Sequence, residues 1–471
     1  ISHTSSDLRK TILKKLRIPD TKLLDFMIVR KSLDARDKMN LSWVYTIDVI
    51  TDCEDQILRR NRDPHIFWYK EELYHYPEQG TGVLRFRPVI VGSGPAGLFA
   101  AYFLAKEGYH PILLERGEAV EQRIITVKHF WETGELNPNS NIQFGEGGAG
   151  TFSDGKLNSG IHDTAGRKSL VLHTFAEHGA PSEILYQNKP HLGTDHLVTI
   201  VSGMRRAIEQ WGGEVRFQTA MTGLQIEDGQ INGVFTQHNE FIPTQIVILA
   251  LGHSARDTFD YLIHHTPLAI TAKPFAVGVR AEHPQKEIDL AQYGKQEQGI
   301  LPPADYKMTY HTSGGQSVYS FCMCPGGYVV NSSSEDGRLC INGMSYSGRN
   351  SSNANAAIVT AVKPSDDPET AIAYQKKIEE KAYAAGNGRI VSQRLEDFEQ
   401  GKISASFGRI KPVHKGQTVM GNLRQILPEE ICDAIIEAMH AFSSKINGFD
   451  DPDVIISGVE TRTSSPIRIL R

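Results

Sequence analysis

Leu8, Ile12, Leu13 and Leu16 recur at helical spacing near the start of the chain, and Pro19 stops the pattern. Leu24–Val29 and Leu41–Ile50 read as strands; in the second, Trp43, Tyr45, Ile47 and Val49 alternate with smaller or polar neighbours. The polar stretch Lys31–Lys38 between them predicts a hairpin connection. Residues 1–80 therefore predict a small α+β module, and Pro77–Arg87, with Gly80 and Gly82, reads as a linker. A βαβ pattern follows at once. Val89, Ile90 and Val91 form a short apolar run, a helix starts at Pro95 or Ala96 and runs toward Lys106, and Gly108 ends it before a second run at Ile112–Leu114. A helix is expected over Leu197–Gln210, then short strands punctuated by Gly212, Gly213, Gly229 and Gly233, then the apolar strand Ile246–Leu251. Residues 257–450 are mixed, with strands around Ala276–Arg280 and Tyr328–Asn331 and helices near 370–385 and 429–443. There is no internal repeat and no low-complexity tract.

The chain's 471 residues are about three times a typical domain of roughly 150, which suits two or three domains. Apolar residues at 40% and charged residues at 22% are ordinary for a folded protein. Fifty basic against 55 acidic residues give a net charge of −5, which excludes a protein built around a nucleic-acid phosphate backbone. No apolar run is long enough to span a membrane. The chain opens Ile-Ser-His-Thr-Ser-Ser, without a starting Met or a charged-then-apolar leader, so no secretory signal is expected and a processed or cloned fragment is. Five cysteines, odd and sparse, argue for a reducing compartment and a cytoplasmic location. The first forty residues carry ten Lys/Arg against five Asp/Glu; no aromatic–basic platform accompanies them, so they read as a solvated face sooner than an RNA-binding surface.

Pro88-Val-Ile-Val-Gly92-Ser-Gly94-Pro95-Ala96-Gly97 carries the strongest local signal. Gly92 allows a tight turn, Gly94 lets backbone approach a pyrophosphate, Gly97 permits close helix–strand packing, and the helix N-terminus supplies positive potential. Glu115, 18 residues after Gly97, ends the second strand, followed by Arg116; a carboxylate there suits an adenosine ribose and repels a 2′-phosphate, favouring FAD or NAD over NADP. Gln143–Lys156 packs five glycines into the eleven residues Gly145–Gly155, and among these Gly147, Gly148 and Gly150 can turn backbone N–H groups onto a ligand, with Thr151 and Ser153 adding hydroxyls. Ile246–His253 is a buried strand ending in small residues, including Ala250 and Gly252. It resembles the strand that returns to the cofactor in flavoproteins of the glutathione-reductase type.

Longer strings extend that likeness: Phe144–Lys156, Lys189–Asp195, Ala250–Asp257, Tyr319–Gly327, Asn342–Tyr346 and Gly458–Pro466. Through most of residues 75–471 the chain resembles a largely uncharacterised family of FAD-dependent dehydrogenases. The resemblance implies an α/β fold: a three-layer Rossmann-like FAD-binding domain over 86–256 (built from 86–170 and 195–256) and completed by 451–471, an inserted mixed α+β substrate domain over 257–450, and the leading module. It also implies FAD as cofactor and hydride transfer between flavin N5 and a small organic substrate, with an unidentified donor or acceptor for the second half-reaction. Relatives continue past the last string into a glycine-rich segment beside the flavin ring, whereas this chain stops at Arg471.

No second GxGxxG follows a strand, since Gly386-Asn-Gly388 leads into Arg-Ile-Val, so NAD(P)H is expected at most as a transient donor without a domain of its own. Cys322 and Cys324 share a face if their strand is regular; they read either as a redox pair or as compact hydrophobes against the cofactor. Their spacing with Cys340 does not predict a metal site. Lys156, His191 and His253 are candidates near flavin or substrate, or else a surface lysine and structural histidines. Arg462, beside Thr463 and Ser464 in the stretch resembling the family's flavin-proximal segment, would hold an anionic substrate or bridge an interface. Two other classes stay open: a flavin-containing RNA- or tRNA-modifying protein and a non-enzymatic FAD-binding regulator.

Overall fold

The computed structural model describes residues 5–70, 73–158, 160, 163–294 and 301–470. The chain divides into two compact units, one comprising Ile1–Gly80, Lys156–Leu192 and Gln292–Pro302, the other Thr81–Gly155, Gly193–Ala291 and Pro303–Arg471.

In the first unit the helix Ser5–Leu16 buries Ile12 and Leu16, the positions that recur at helical spacing. They pack with Leu23 and Ile57 against an antiparallel hairpin of Leu23–Asp34 and Ser42–Thr51. The first strand runs further than its apolar pattern predicts, through residues assigned to the connection. Its outer edge is paired: Lys31 N–H donates to Tyr186 O at 2.7 Å, and Asn188 N–H donates to Lys31 O at 2.9 Å. Those backbone bonds outweigh the polar side chains. They also explain why 156–192, expected to lie partly within the dinucleotide-binding domain, packs with the leading module instead.

The second unit is mixed α/β and holds a four-stranded parallel sheet in the order Glu214–Arg216, Ile112–Leu114, Val89–Val91, Val247–Leu249. Val89–Val91 is buried along its whole length, as a short all-apolar run in a covered parallel sheet should be. The helices Pro95–Lys106 and Gly193–Gln210 flank these strands. Met221–Glu227, Gln230–Thr236 and Phe241–Pro243 form an antiparallel sheet on the way to the fourth strand. A seven-stranded sheet follows in the order Thr309–His311, Ser317–Cys324, Asn353–Val362, Phe275–Pro284, Ile455–Glu460, Ile390–Arg394, Thr418–Met420.

The closing segment, 451–471, expected to complete the cofactor-binding domain, adds no strand to the four-stranded parallel sheet among the described residues. Ile455–Glu460, buried at every position, lies between Phe275–Pro284 and Ile390–Arg394, and Ile467–Ile469 pairs with Ile270–Ala272. A strand with no exposed position belongs at the centre of a covered sheet, and the larger sheet supplies partners on both sides. Among the described residues no helix is long and apolar enough to cross a membrane.

Candidate functional site: a cofactor cradle between two glycine stretches

The turn after Val91 is dictated by space. Gly92 has φ +98°, and a Cβ there would lie 2.4 Å from Ala250 O; a Cβ on Gly97 would lie 1.8 Å from Gly92 O. The helix Pro95–Lys106 starts from Gly94 with no side-chain cap and no acid in its first turn. Its first N–H groups and the positive end of its dipole are therefore left for an anion.

The second glycine stretch lies directly against the first. Gly147 N–H donates to Ser93 O at 2.9 Å. Gly148, at φ +60°, approaches so closely that a Cβ would lie 2.9 Å from Gly94 Cα. Between them, at the carboxyl ends of the parallel strands, is a cavity of about 220 Å³. Gly92, Gly94, Pro95, Glu115, Arg116, Gly148, Gly150, Ala250, Gly252 and His253 line it, all singled out by sequence. Cradle, uncapped helix and position at the strand ends together fit a dinucleotide's pyrophosphate.

Other candidates serve the walls. Ala96 and Gly97 lie within the helix, and Gly97 is buried. A Cβ on Gly147 would meet Thr151 Oγ1. The hydroxyls of Thr151 and Ser153 donate to Glu146 O (3.1 Å) and Gly150 O (2.7 Å), so they brace the loop and do not reach toward a ligand. Glu115 departs most from its expected role. Its Oε2 accepts from Ser93 N–H (2.8 Å) and Ser93 Oγ (2.7 Å), its Oε1 from Gly117 N–H and Gly145 N–H (both 2.9 Å). Four donors match a carboxylate's acceptor capacity, so the side chain ties both glycine stretches together and has no lone pair in reserve for a ribose. Arg116 bonds Asp257 and Thr258, each at 3.0 Å, with its guanidinium 4.5 Å from the Phe144 ring centre.

Sequence reasoning missed the residue that shapes the second stretch. Arg123, wholly buried on the helix Val120–Thr133, donates to Asn141 O (2.9 Å), Ile142 O (2.9 Å), Glu146 O (2.6 Å) and Gly148 O (2.9 Å). Burial pushes its pKa down to about 10, against the raising effect of Glu115, Glu146 and Glu118. A signal was available: Val120, Arg123, Val127 and Phe130 fall on one buried stripe, where a charge needs a reason. Thr219, Ala220 and Met221 also line the cavity and were missed. They follow Glu214–Arg216, and reading that run as a parallel strand would have placed them at a ligand-binding edge.

Of the candidates for chemistry, His253 alone lines the cavity. Its Nδ1 lies 2.8 Å from Ser254 Oγ, and its pKa is pushed down to about 4, by burial first and then by Arg462 and Arg256, with Glu379 opposing. The ring is neutral at physiological pH.

Arg462 is committed elsewhere. It grips Glu379 with Nε and Nη2 (2.9 and 2.8 Å), and Nη1 donates to Ser254 Oγ at 3.1 Å and Ser334 Oγ at 2.5 Å. Arg256 grips the same carboxylate, at 2.7 and 2.9 Å. Burial would raise the Glu379 pKa, but the two guanidinium groups override it and hold it far below the usual range. An arginine saturated in this way is not a substrate anchor.

The cysteine strand is not regular: its pairing slips between Phe321 and Cys324, and Cys322 has φ +44°. Strict alternation, and the shared face it implied, is lost. Cys324 is fully buried, with Sγ 3.3 Å from Cys322 O, and among the described residues no cysteine is in a disulfide. Lys156 and His191 belong to the first unit, where they bridge each other. Among the described residues the one cluster with metal-ligand character is Asp260, His264 and Glu369, all exposed.

Residues 274–463 match the family described as FAD-dependent protein, C-terminal domain-like. Residues 90–131 match an NAD(P)-binding Rossmann-like domain, and residues 1–50 a domain of unknown function. An uncharacterized protein of Clostridium beijerinckii is 40% identical over 472 residues, covering 98% of this chain and 88% of that protein. The chain belongs to this family of FAD-dependent proteins. Solved structures similar to this FAD-dependent protein include the glycerol-3-phosphate dehydrogenase from Bacillus halodurans complexed with FAD (11% identity, TM-score 0.30, 60% of this chain and 48% of that one). Another is the L-amino acid deaminase from Proteus vulgaris (15% identity, TM-score 0.23, 44% and 56%). The chain thus spans about half the length of either enzyme.

Proposed function

We propose that this FAD-dependent protein is an oxidoreductase that passes hydride between flavin N5 and a small organic substrate, with NAD(P)H or another carrier serving the second half-reaction. The observation that carries this reading is the contact of the two glycine stretches across one cavity at the strand ends, with an uncapped, acid-free helix terminus facing it. FAD, when bound, supplies the two-electron chemistry. The chain supplies the rest. The Gly92–Gly97 turn and the helix dipole balance the pyrophosphate charge. Val91, Leu114, Phe144 and Met221 give the cavity apolar walls that keep water from the cofactor. Neutral His253 adds a polar group to that wall without adding charge.

Purified protein, denatured to release its cofactor, should yield FAD. Anaerobic addition of NADH or NADPH should bleach the flavin, and oxygen or a quinone should restore it. A colourless protein that fails to bind added FAD overturns the reading. A flavin that no reductant or oxidant touches points to the non-enzymatic alternative.

A further inference from the structure

An arginine donates hydrogen bonds and never accepts them. Arg462 Nη1 therefore donates to Ser254 Oγ, 3.1 Å away. Ser254 is 4% exposed, its hydroxyl still has a proton to give, and that hydroxyl's other side-chain neighbour among the described residues is His253 Nδ1 at 2.8 Å. Were Nδ1 protonated, two donors would converge on Ser254 Oγ and the serine's own proton would be buried without an acceptor, which is costly. So Nδ1 accepts, and the imidazole proton sits on Nε2. Glu379 fixes the starting point by holding Arg462 through two bonds, at 2.9 and 2.8 Å. Nε2 belongs to a side chain that lines the cavity.

We propose that Arg462, Ser254 and His253 form a relay that presents His253 Nε2–H as a hydrogen-bond donor to an acceptor atom of the bound FAD. Ser254 and Arg462 are positioning residues, and His253 is the group that touches the cofactor. The ring then works as a fixed donor, with no proton to take up or release in the physiological range. The identity of the ligand rests on the oxidoreductase reading, whereas the relay stands on the protein's own hydrogen bonds.

The relay is tested by ¹⁵N spectra of histidine-labelled protein at pH 7, with and without FAD, the His253 signals being assigned by their loss in His253→Gln. The expected pattern is a bare Nδ1 and a protonated Nε2, collapsing toward a tautomer mixture in Ser254→Ala. A protonated Nδ1 in the unaltered protein, or a tautomer indifferent to Ser254→Ala, overturns the relay. The donor role is tested by titrating FAD into cofactor-stripped protein. His253→Phe should bind about tenfold more weakly, the scale of one hydrogen bond, while His253→Gln, which keeps an N–H, should stay within about threefold. Equal affinity of His253→Phe and the unaltered protein overturns the donor role. If the unaltered protein binds no FAD at all, the oxidoreductase reading falls and takes the donor role with it, and the tautomer spectra still decide the relay.

Discussion

Single side chains and single missing side chains decide whether the cradle exists. Arg123→Met would strip donors from four loop carbonyls, and buried carbonyls without partners should cost about 3 kcal/mol. Chemical denaturation should show the midpoint falling, with FAD released earlier than in the unaltered protein. Gly148→Ala is the complementary probe. The φ of +60° and the 2.9 Å approach to Gly94 Cα leave no room for a methyl group, so the loops must part and FAD affinity should drop by tenfold or more, with little change in the far-ultraviolet spectrum. The glycines were legible in the sequence because their requirement is local: a turn or a close approach needs glycine whatever lies further off. Glu115 and Arg123 were not. Glu115 was assigned to a ribose and turned out to bond Ser93, Gly117 and Gly145, a role that depends on the loop folding back over the first turn.

At the level of elements, runs of one texture were read well. The helices Pro95–Lys106, Pro368–Gly386 and Glu429–Ser443 and the strands Val89–Val91 and Tyr328–Asn331 stand close to where periodicity put them. Sheet membership was not legible, because a strand's own residues say that it is buried and not beside what. Ile455–Glu460 shows this: it was placed only within the closing segment 451–471, and its neighbours come from residues 275–284 and 390–394. The residues immediately after it lead into the buried Arg256–Glu379–Arg462 group, which joins two helices, Arg256–His265 and Pro368–Gly386, to the segment after that strand. Glu379→Ala would remove the carboxylate that both arginines grip and leave them to share Glu335, at 2.6 Å from Arg256 and 3.2 Å from Arg462. Stability should fall by about 3–5 kcal/mol, and Glu379→Gln should recover part of it by restoring the shape and one acceptor. If the urea midpoint of Glu379→Ala matches that of the unaltered chain, the network is not the brace described here.

Over the whole molecule, the buried histidines tie stability to pH. His283 sends Nε2–H to Phe449 O at 2.9 Å and leaves Nδ1 buried without a partner, and burial pushes its pKa down to about 4; His253 is depressed to about the same value. Both are neutral when folded, while in the unfolded chain they charge near 6.5. Their contribution is therefore complete above about pH 6.5 and is lost as pH falls from there toward 4. Urea midpoints at pH 7.5 and 5 should differ in that direction, with proton uptake on unfolding at pH 5. In His283→Gln the difference should shrink. A midpoint flat across that window would contradict the depressed values.

The hairpin of the first unit is made early and completed late. Lys31 takes its outer partners, Tyr186 and Asn188, from a stretch that emerges only after all of residues 81–155 have been synthesised. Until then the nascent chain displays an open β-edge, the kind of surface that seeks a neighbouring chain when its own is delayed. Arg30, Lys31 and Lys38, part of the basic stretch that reads as a solvated face, sit along or just beyond that edge, where like charges would keep two unfinished molecules apart.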